Sequence, residues 1–94
     1  MKIIIVGPVQ SGKTTLLHRI IRSNPDITFS LILDGYESLS PAGNNNILTN
    51  LPPNLNYIIT AQTLANIPVN IKNSSLILNV PYIRGFADAQ PVAQ

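Results

Sequence analysis

The sequence predicts an α/β fold: a small open parallel β-sheet of about four strands, flanked by helices. Three observations point there. Apolar runs rich in Ile, Leu and Val recur at Ile3 to Val6, Leu31 to Leu33, Tyr57 to Ile59 and Leu76 to Leu78. Continuous runs of this length fit strands buried on both faces, as in a parallel sheet. They alternate with helical or loop segments, the pattern of strands joined by crossovers. The length, 94 residues, allows a single domain.

Each element has its own signal. Ile3 to Val6 is a β-branched strand. Gly7 to Gly12 reads as a loop, and Lys13 to Ser23 as a helix with Leu16, Leu17, Ile20 and Ile21 on one stripe. Asn24-Pro25 ends that helix, because the residue before proline avoids the helical region. Thr28 to Leu33 is the second strand, closed by Asp34-Gly35. Tyr36 to Asn46 is a polar loop, and a short helical turn is expected around Ile47 to Leu51 before Pro52-Pro53 breaks the chain. Asn56 to Thr60 is the third strand, with a polar turn, Ala61-Gln62-Thr63, after it. Leu64 to Asn73 forms one or two helical turns, with Pro68 near a helix start. Ser75 to Val80 is the fourth strand, ended by Pro81. Residues 1–86 then form one domain, and 87–94 read as a poorly ordered tail. The strand order stays open: the strand ending at Asp34 lies next to the first strand or one removed from it.

Composition narrows the class. Hydrophobic residues make up 45% and charged residues 11%, which suits a folded core and argues against global disorder. The net charge is +2 and the pI near 9.3. The basic residues do not cluster, however. Arg19 and Arg22 come nearest to a basic face, and a solvated helix side is the simpler reading. The absence of cysteine excludes disulfides and thiolate-metal sites, and is compatible with a reducing compartment. No apolar run approaches the roughly 18 residues that span a membrane, and no secretory signal is visible. A cytoplasmic location is expected.

The chemistry concentrates in Gly7-Pro8-Val9-Gln10-Ser11-Gly12-Lys13-Thr14. This matches G-x-x-x-x-G-K-[ST], the P-loop, at every fixed position, and it follows a strand and opens a helix as that loop must. The backbone N–H groups are expected to wrap a polyanion. Gly12 permits close backbone approach. The helix beginning at Lys13 directs its amino end at the phosphates. Lys13 supplies a point charge to the β- and γ-phosphates, and Thr14 a hydroxyl to Mg²⁺. Thr15 reaches the α-phosphate side. The ligand implied is a nucleoside triphosphate with Mg²⁺. The competing reading is a strand–helix turn with an incidental lysine.

Other candidates lie at strand ends, where ligands of open α/β sheets bind. Asp34 is either the acidic group beside Mg²⁺ or a plain turn aspartate. Glu37, the single glutamate, is either a water-polarising group or a solvated loop residue. Gln62 either orients water and senses the γ-phosphate or is a loop amide. His18 is expected at the surface. Tyr57 and Tyr82 are expected to be half-buried packing residues, as is Tyr36, which could alternatively stack on a base.

The segment Tyr57-Ile58-Ile59-Thr60-Ala61-Gln62-Thr63, followed by Asn66-Ile67-Pro68-Val69-Asn70-Ile71-Lys72-Asn73, resembles the sensor-strand region of the FtsK–HerA branch of P-loop ATPases. That branch contains DNA translocases, conjugation ATPases and viral packaging ATPases. The resemblance touches most of residues 2–80 and implies a RecA-like sheet. It makes Gln62 the polar sensor, Lys13 and Thr14 the nucleotide and Mg²⁺ residues, and Asp34 the Walker B aspartate. It implies an ATPase working on DNA as a homo-oligomer or within a larger assembly, in the host cytoplasm if the chain is viral. Several features depart from the branch. Gly35 stands where an acidic residue usually follows the aspartate. Only about twenty residues separate Thr14 from Asp34, where members have more. Arg84 and Lys72, the downstream cations, fall on no clear motif. Two further functions stay open: a nucleotide-binding regulatory or assembly module with little turnover, and a small nucleoside or metabolite kinase. The kinase loses ground because no arginine-rich lid is visible, and a GTPase because no Asn-Lys-x-Asp segment is present.

Overall fold

The computed structural model describes residues 1–8, 10–35, 52, 54–65, 67–82 and 84–92. It is an α/β fold built on one five-stranded mixed sheet. The elements are β1 (Lys2–Val6), α1 (Lys13–Ser23), β2 (Leu31–Leu33), β3 (Tyr57–Ala61), α2 (Val69–Asn73), β4 (Leu76–Asn79), a 3₁₀ turn (Phe86–Asp88) and β5 (Gln90–Pro91). The strand order is β2-β3-β1-β4-β5. β1 pairs in parallel with β3 and β4, and β2 in parallel with β3. Only β5 runs antiparallel, against β4.

Two expectations change here. The sheet has five strands rather than about four, and it is not wholly parallel. The extra strand comes from the segment read as a poorly ordered tail. Gln90 pairs with Asn79 and Pro91 with Leu78, and Val92 N–H donates to Ile77 O at 2.8 Å. Pro91 is tolerated there because an edge strand does not need every N–H. Of the two strand placements left open, the structure takes the second: β3 lies between β2 and β1. The loop expected at 36–46 and the helical turn at 47–51 lie outside the described residues.

The other boundaries move for local reasons. β2 begins at Leu31 and not at Thr28, because Leu31 is the first residue with a strand partner, Tyr57. α2 begins only after Pro68, whose φ of −55° and ψ of 142° place it outside the helix. α1 has the expected limits. Asn24 ends it, with its N–H on Ile21 O and its side-chain amide on Ile20 O at 2.8 Å.

Side chains from β1 alternate between two cores. Ile4, Val6, Tyr57, Ile59, Ala61 and Ile77 bury one face beneath Ile67 and Ile71. Ile3, Ile5, Ile58 and Val80 bury the other beneath Leu17, with Leu16, Ile20 and Ile21 packed around it. This is the period-2 logic of a central strand covered on both sides. Tyr57 is fully buried, not half-buried, and its hydroxyl shares a hydrogen bond with Ser75. Tyr82 is 53% exposed, close to the half-burial expected of it. His18 is exposed, as expected, and Tyr36 lies outside the described residues. The register brings the carboxyl ends of β1 to β4 to one edge, so Gly7, Asp34, Gln62 and Val80 emerge together.

Candidate functional site

The segment from Gly7 to Thr14 connects the end of β1 to the first turn of α1. Its start is fixed by Gly7 N–H, which donates to Ala61 O of β3 at 3.2 Å. Ser11 N–H turns back to Pro8 O at 3.2 Å. Gln10 has a φ of 63° and Gly12 a φ of 93°. Two left-handed residues so close together coil the chain tightly, and glycine adopts that conformation without a Cβ penalty. Gly12 is the helix N-cap, and no side chain caps the helix there.

The first helical bond runs from Leu16 N–H to Gly12 O at 2.9 Å. The N–H groups of Lys13, Thr14 and Thr15 therefore have no carbonyl one turn back within the helix. The first turn carries no acidic residue. Its partial positive charge meets no carboxylate of its own helix, and an anion at this end is favoured. The Lys13 ammonium is anchored over the loop. Its Nζ donates to Gly7 O at 2.9 Å and to Pro8 O at 2.8 Å. Pro8 and Gln10 are exposed, and Val9 lies outside the described residues.

Asp34 enters from β2, on the far side of β3. Thr14 Oγ1 donates to Asp34 Oδ2 at 2.8 Å. Thr60 Oγ1 donates to Asp34 Oδ1 at 2.7 Å and accepts from Gly35 N–H at 2.7 Å. Both carboxylate oxygens are thus held by hydroxyls from two different elements. A hydroxyl and a carboxylate in contact are hard oxygen donors, suited to a divalent cation that takes its remaining oxygens elsewhere. Among the described residues, no three His, Cys, Asp or Glu side chains come together. A closed cage made by protein side chains alone is not offered by them.

The structure thus brings together Gly7, Gln10, Ser11, Gly12, Lys13, Thr14 and Asp34. Gln62 stands exposed one residue past β3, on the same edge. Thr15 is exposed on α1 and lines a cleft of about 190 Å³ with Arg19, Arg22 and Ser23. Glu37 lies outside the described residues.

Two features were not foreseen. Thr60 is fully buried and steers Asp34. Its only sequence signal was a polar residue closing an apolar strand, and the strand register was needed to put it beside Asp34. Ser11 is the second. It was grouped with the phosphate-binding residues, but its side chain is 1% exposed and its Oγ has no hydrogen-bond partner among the described residues. The hydroxyl sits under the loop, about 3.0 Å from where a Cβ on Gly7 would lie. Comparisons with protein-family models, curated proteins and solved structures found no match.

Proposed function

We propose that this chain is a P-loop protein that binds a nucleoside triphosphate with Mg²⁺ at Gly7 to Thr14. The observation that carries the reading is the Thr14–Asp34 hydrogen bond. It joins the helix that follows the loop to a strand two positions away in the sheet. A chance match to the loop pattern would not require an aspartate there. The uncapped amino end of α1 and the anchored Lys13 ammonium would receive the phosphates. Thr14 and Asp34 would hold Mg²⁺, which ordinarily takes one or two carboxylates and completes its shell with phosphate oxygens and water. Bound there, Mg²⁺ would offset charge on the phosphates.

ATP hydrolysis coupled to work on DNA follows from the likeness to FtsK–HerA ATPases, with Gln62 as the sensor at the phosphate edge. A second reading is favoured by one specific observation. Gly35 follows Asp34, and it has no side chain to activate water; its N–H is bonded to Thr60. On that reading the chain is a nucleotide-binding assembly or regulatory module with little turnover.

Titration of the folded protein with a fluorescent ATP analogue tests the binding. Lys13→Ala should weaken it at least about 100-fold, because it removes a charged donor worth roughly 1.5–3 kcal/mol per hydrogen bond. Phosphate release, with and without DNA, separates the two readings. A folded sample that ignores both MgATP and MgGTP would remove the proposal.

A further inference from the structure

A second concavity opens on the same sheet edge. It is a cleft of about 300 Å³ lined by Asn79, Pro81, Tyr82, Asp88 and Gln90. We propose that it receives an aminopurine base, that of the nucleotide whose phosphates lie on Gly7 to Thr14. The inference rests on the phosphate-binding reading above and adds the part of the ligand that the loop does not address.

Position argues first. Asn79 closes β4 and is the register partner of Val6, the last residue of β1. Val80 N–H donates to Val6 O at 2.7 Å. Arg84 N–H donates to Gln10 O at 2.9 Å, which fastens the segment after β4 directly onto the loop. The cleft and the loop are therefore neighbours joined by backbone hydrogen bonds. Size argues next. Small-molecule pockets run from roughly 300 to 1,000 Å³. This cleft stands at the lower end, enough for a base and its sugar if the phosphates lie outside on the loop.

The lining has the chemistry to read a base. Tyr82 is 53% exposed and lines the cleft, with part of its ring packed against Gly85, and a partly exposed aromatic ring at a cleft is a stacking platform. Its hydroxyl donates to Asp88 Oδ2, which leaves Oδ1 to accept from a ligand. A carboxylate only accepts, so it selects base edges that present N–H groups. Among purines those are the amino group of adenine, or the ring N–H and amino group of guanine. Pyrimidines present N–H groups too, and a purine is favoured over them because its two fused rings give Tyr82 the larger face to stack on. Asn79 and Gln90 face each other across β4 and β5. Their amides offer both donors and acceptors to the rest of the base edge. The cleft beside Thr15 differs: its lining residues Thr15, Arg19, Arg22 and Ser23 include neither an aromatic ring nor a carboxylate, so it lacks the groups that would stack on a base and accept from its edge.

The test compares Mg²⁺ complexes of ATP, GTP and inorganic tripolyphosphate by calorimetry. The wild type should bind at least one purine nucleotide about 10-fold or more tightly than tripolyphosphate, in keeping with one aromatic–base stack. Tyr82→Ala should erase that advantage and leave tripolyphosphate affinity unchanged, and Asp88→Asn should alter the ATP-to-GTP ratio. Equal wild-type affinity for nucleotide and tripolyphosphate would overturn the base site, even if Tyr82→Ala failed to fold. So would wild-type behaviour of both variants. In either case loss of tripolyphosphate binding in Lys13→Ala would leave the phosphate reading standing. Failure of the wild type to bind any of the three would remove both.

Discussion

The two ends of the sheet's carboxyl edge are built differently. At the β2–β3 end, polar groups bind one another. Thr14 and Thr60 each hold one oxygen of Asp34, and Thr60 also takes Gly35 N–H. At the β4–β5 end, Asn79, Tyr82, Asp88 and Gln90 are exposed around an open cleft. The first arrangement fixes one carboxylate to within a hydrogen bond and suits a small cation with strict geometry. The second has room and a mixed set of donors and acceptors, which suits an organic ring. The proposed ligand would run from one end to the other, with the loop between them.

The sharpest way to break this contrast is to remove the same kind of group from each end. Asp34→Asn should abolish most of the gain in ATP affinity that Mg²⁺ confers, roughly 100-fold, since a hydrogen-bonded charge contributes about 1.5–3 kcal/mol. Mg²⁺-free binding should change little. Asp88→Asn should leave the Mg²⁺ dependence intact. Affinities measured with and without Mg²⁺ in both variants decide the matter, and identical behaviour at Asp34 and Asp88 would dissolve the distinction. Thr60→Val probes the support beneath Asp34. It keeps the shape and deletes the hydroxyl, so unfolding free energy should fall by about 1–3 kcal/mol in a denaturant titration.

The ends also differ in how far the sequence revealed them. Gly7 to Thr14 is contiguous, and its loop and helix limits could be read directly because strand, loop and helix each carry a local signal. Asp34 was readable as an acidic residue closing an apolar strand. Its contact with Thr14 depends on β3 lying between β2 and β1, and local patterning does not encode strand order. Thr60 needed the same information. Residues 79–90 gave the least warning. Gln90-Pro91 lacks the apolar, β-branched residues that announce a strand, and it is one because β4 offers a free edge. Tyr82 could be read as a half-buried aromatic, but its place at a cleft beside Asp88 could not, because that depends on the turn that brings residues 86–88 back to the end of β4.

Under the loop the two ends meet at Gly7. A Cβ there would lie 2.9 Å from both Val80 Cβ and Val80 O. Backbone cannot yield as a flexible side chain can, so Gly7→Ala must push β4 away from the loop. The expected cost is about 1–3 kcal/mol, or roughly 4–8 °C in Tm per kcal/mol for a domain of this size. Because the shift separates the cleft from the loop, nucleotide affinity should fall more than tripolyphosphate affinity. Thermal melts and paired titrations would check both parts. A variant with wild-type Tm would mean that the contact between β1 and β4 is looser than the structure describes.

The smallest effect concerns Ser11, next to the same crowded spot. Its buried hydroxyl has no partner among the described residues, and an unsatisfied buried polar group carries a desolvation cost of about 1–3 kcal/mol. Ser11→Ala removes that cost and leaves a void smaller than a methyl group, so the two terms nearly offset each other. Tm should stay level or rise by up to about 4 °C, with binding of MgATP and tripolyphosphate unchanged. The hydroxyl is buried beside Gly7, so any contact of Ser11 with phosphates is expected through its backbone and not through this side chain. A weaker affinity for both ligands in Ser11→Ala, at undiminished stability, would move this side chain from the floor of the loop to its inner surface.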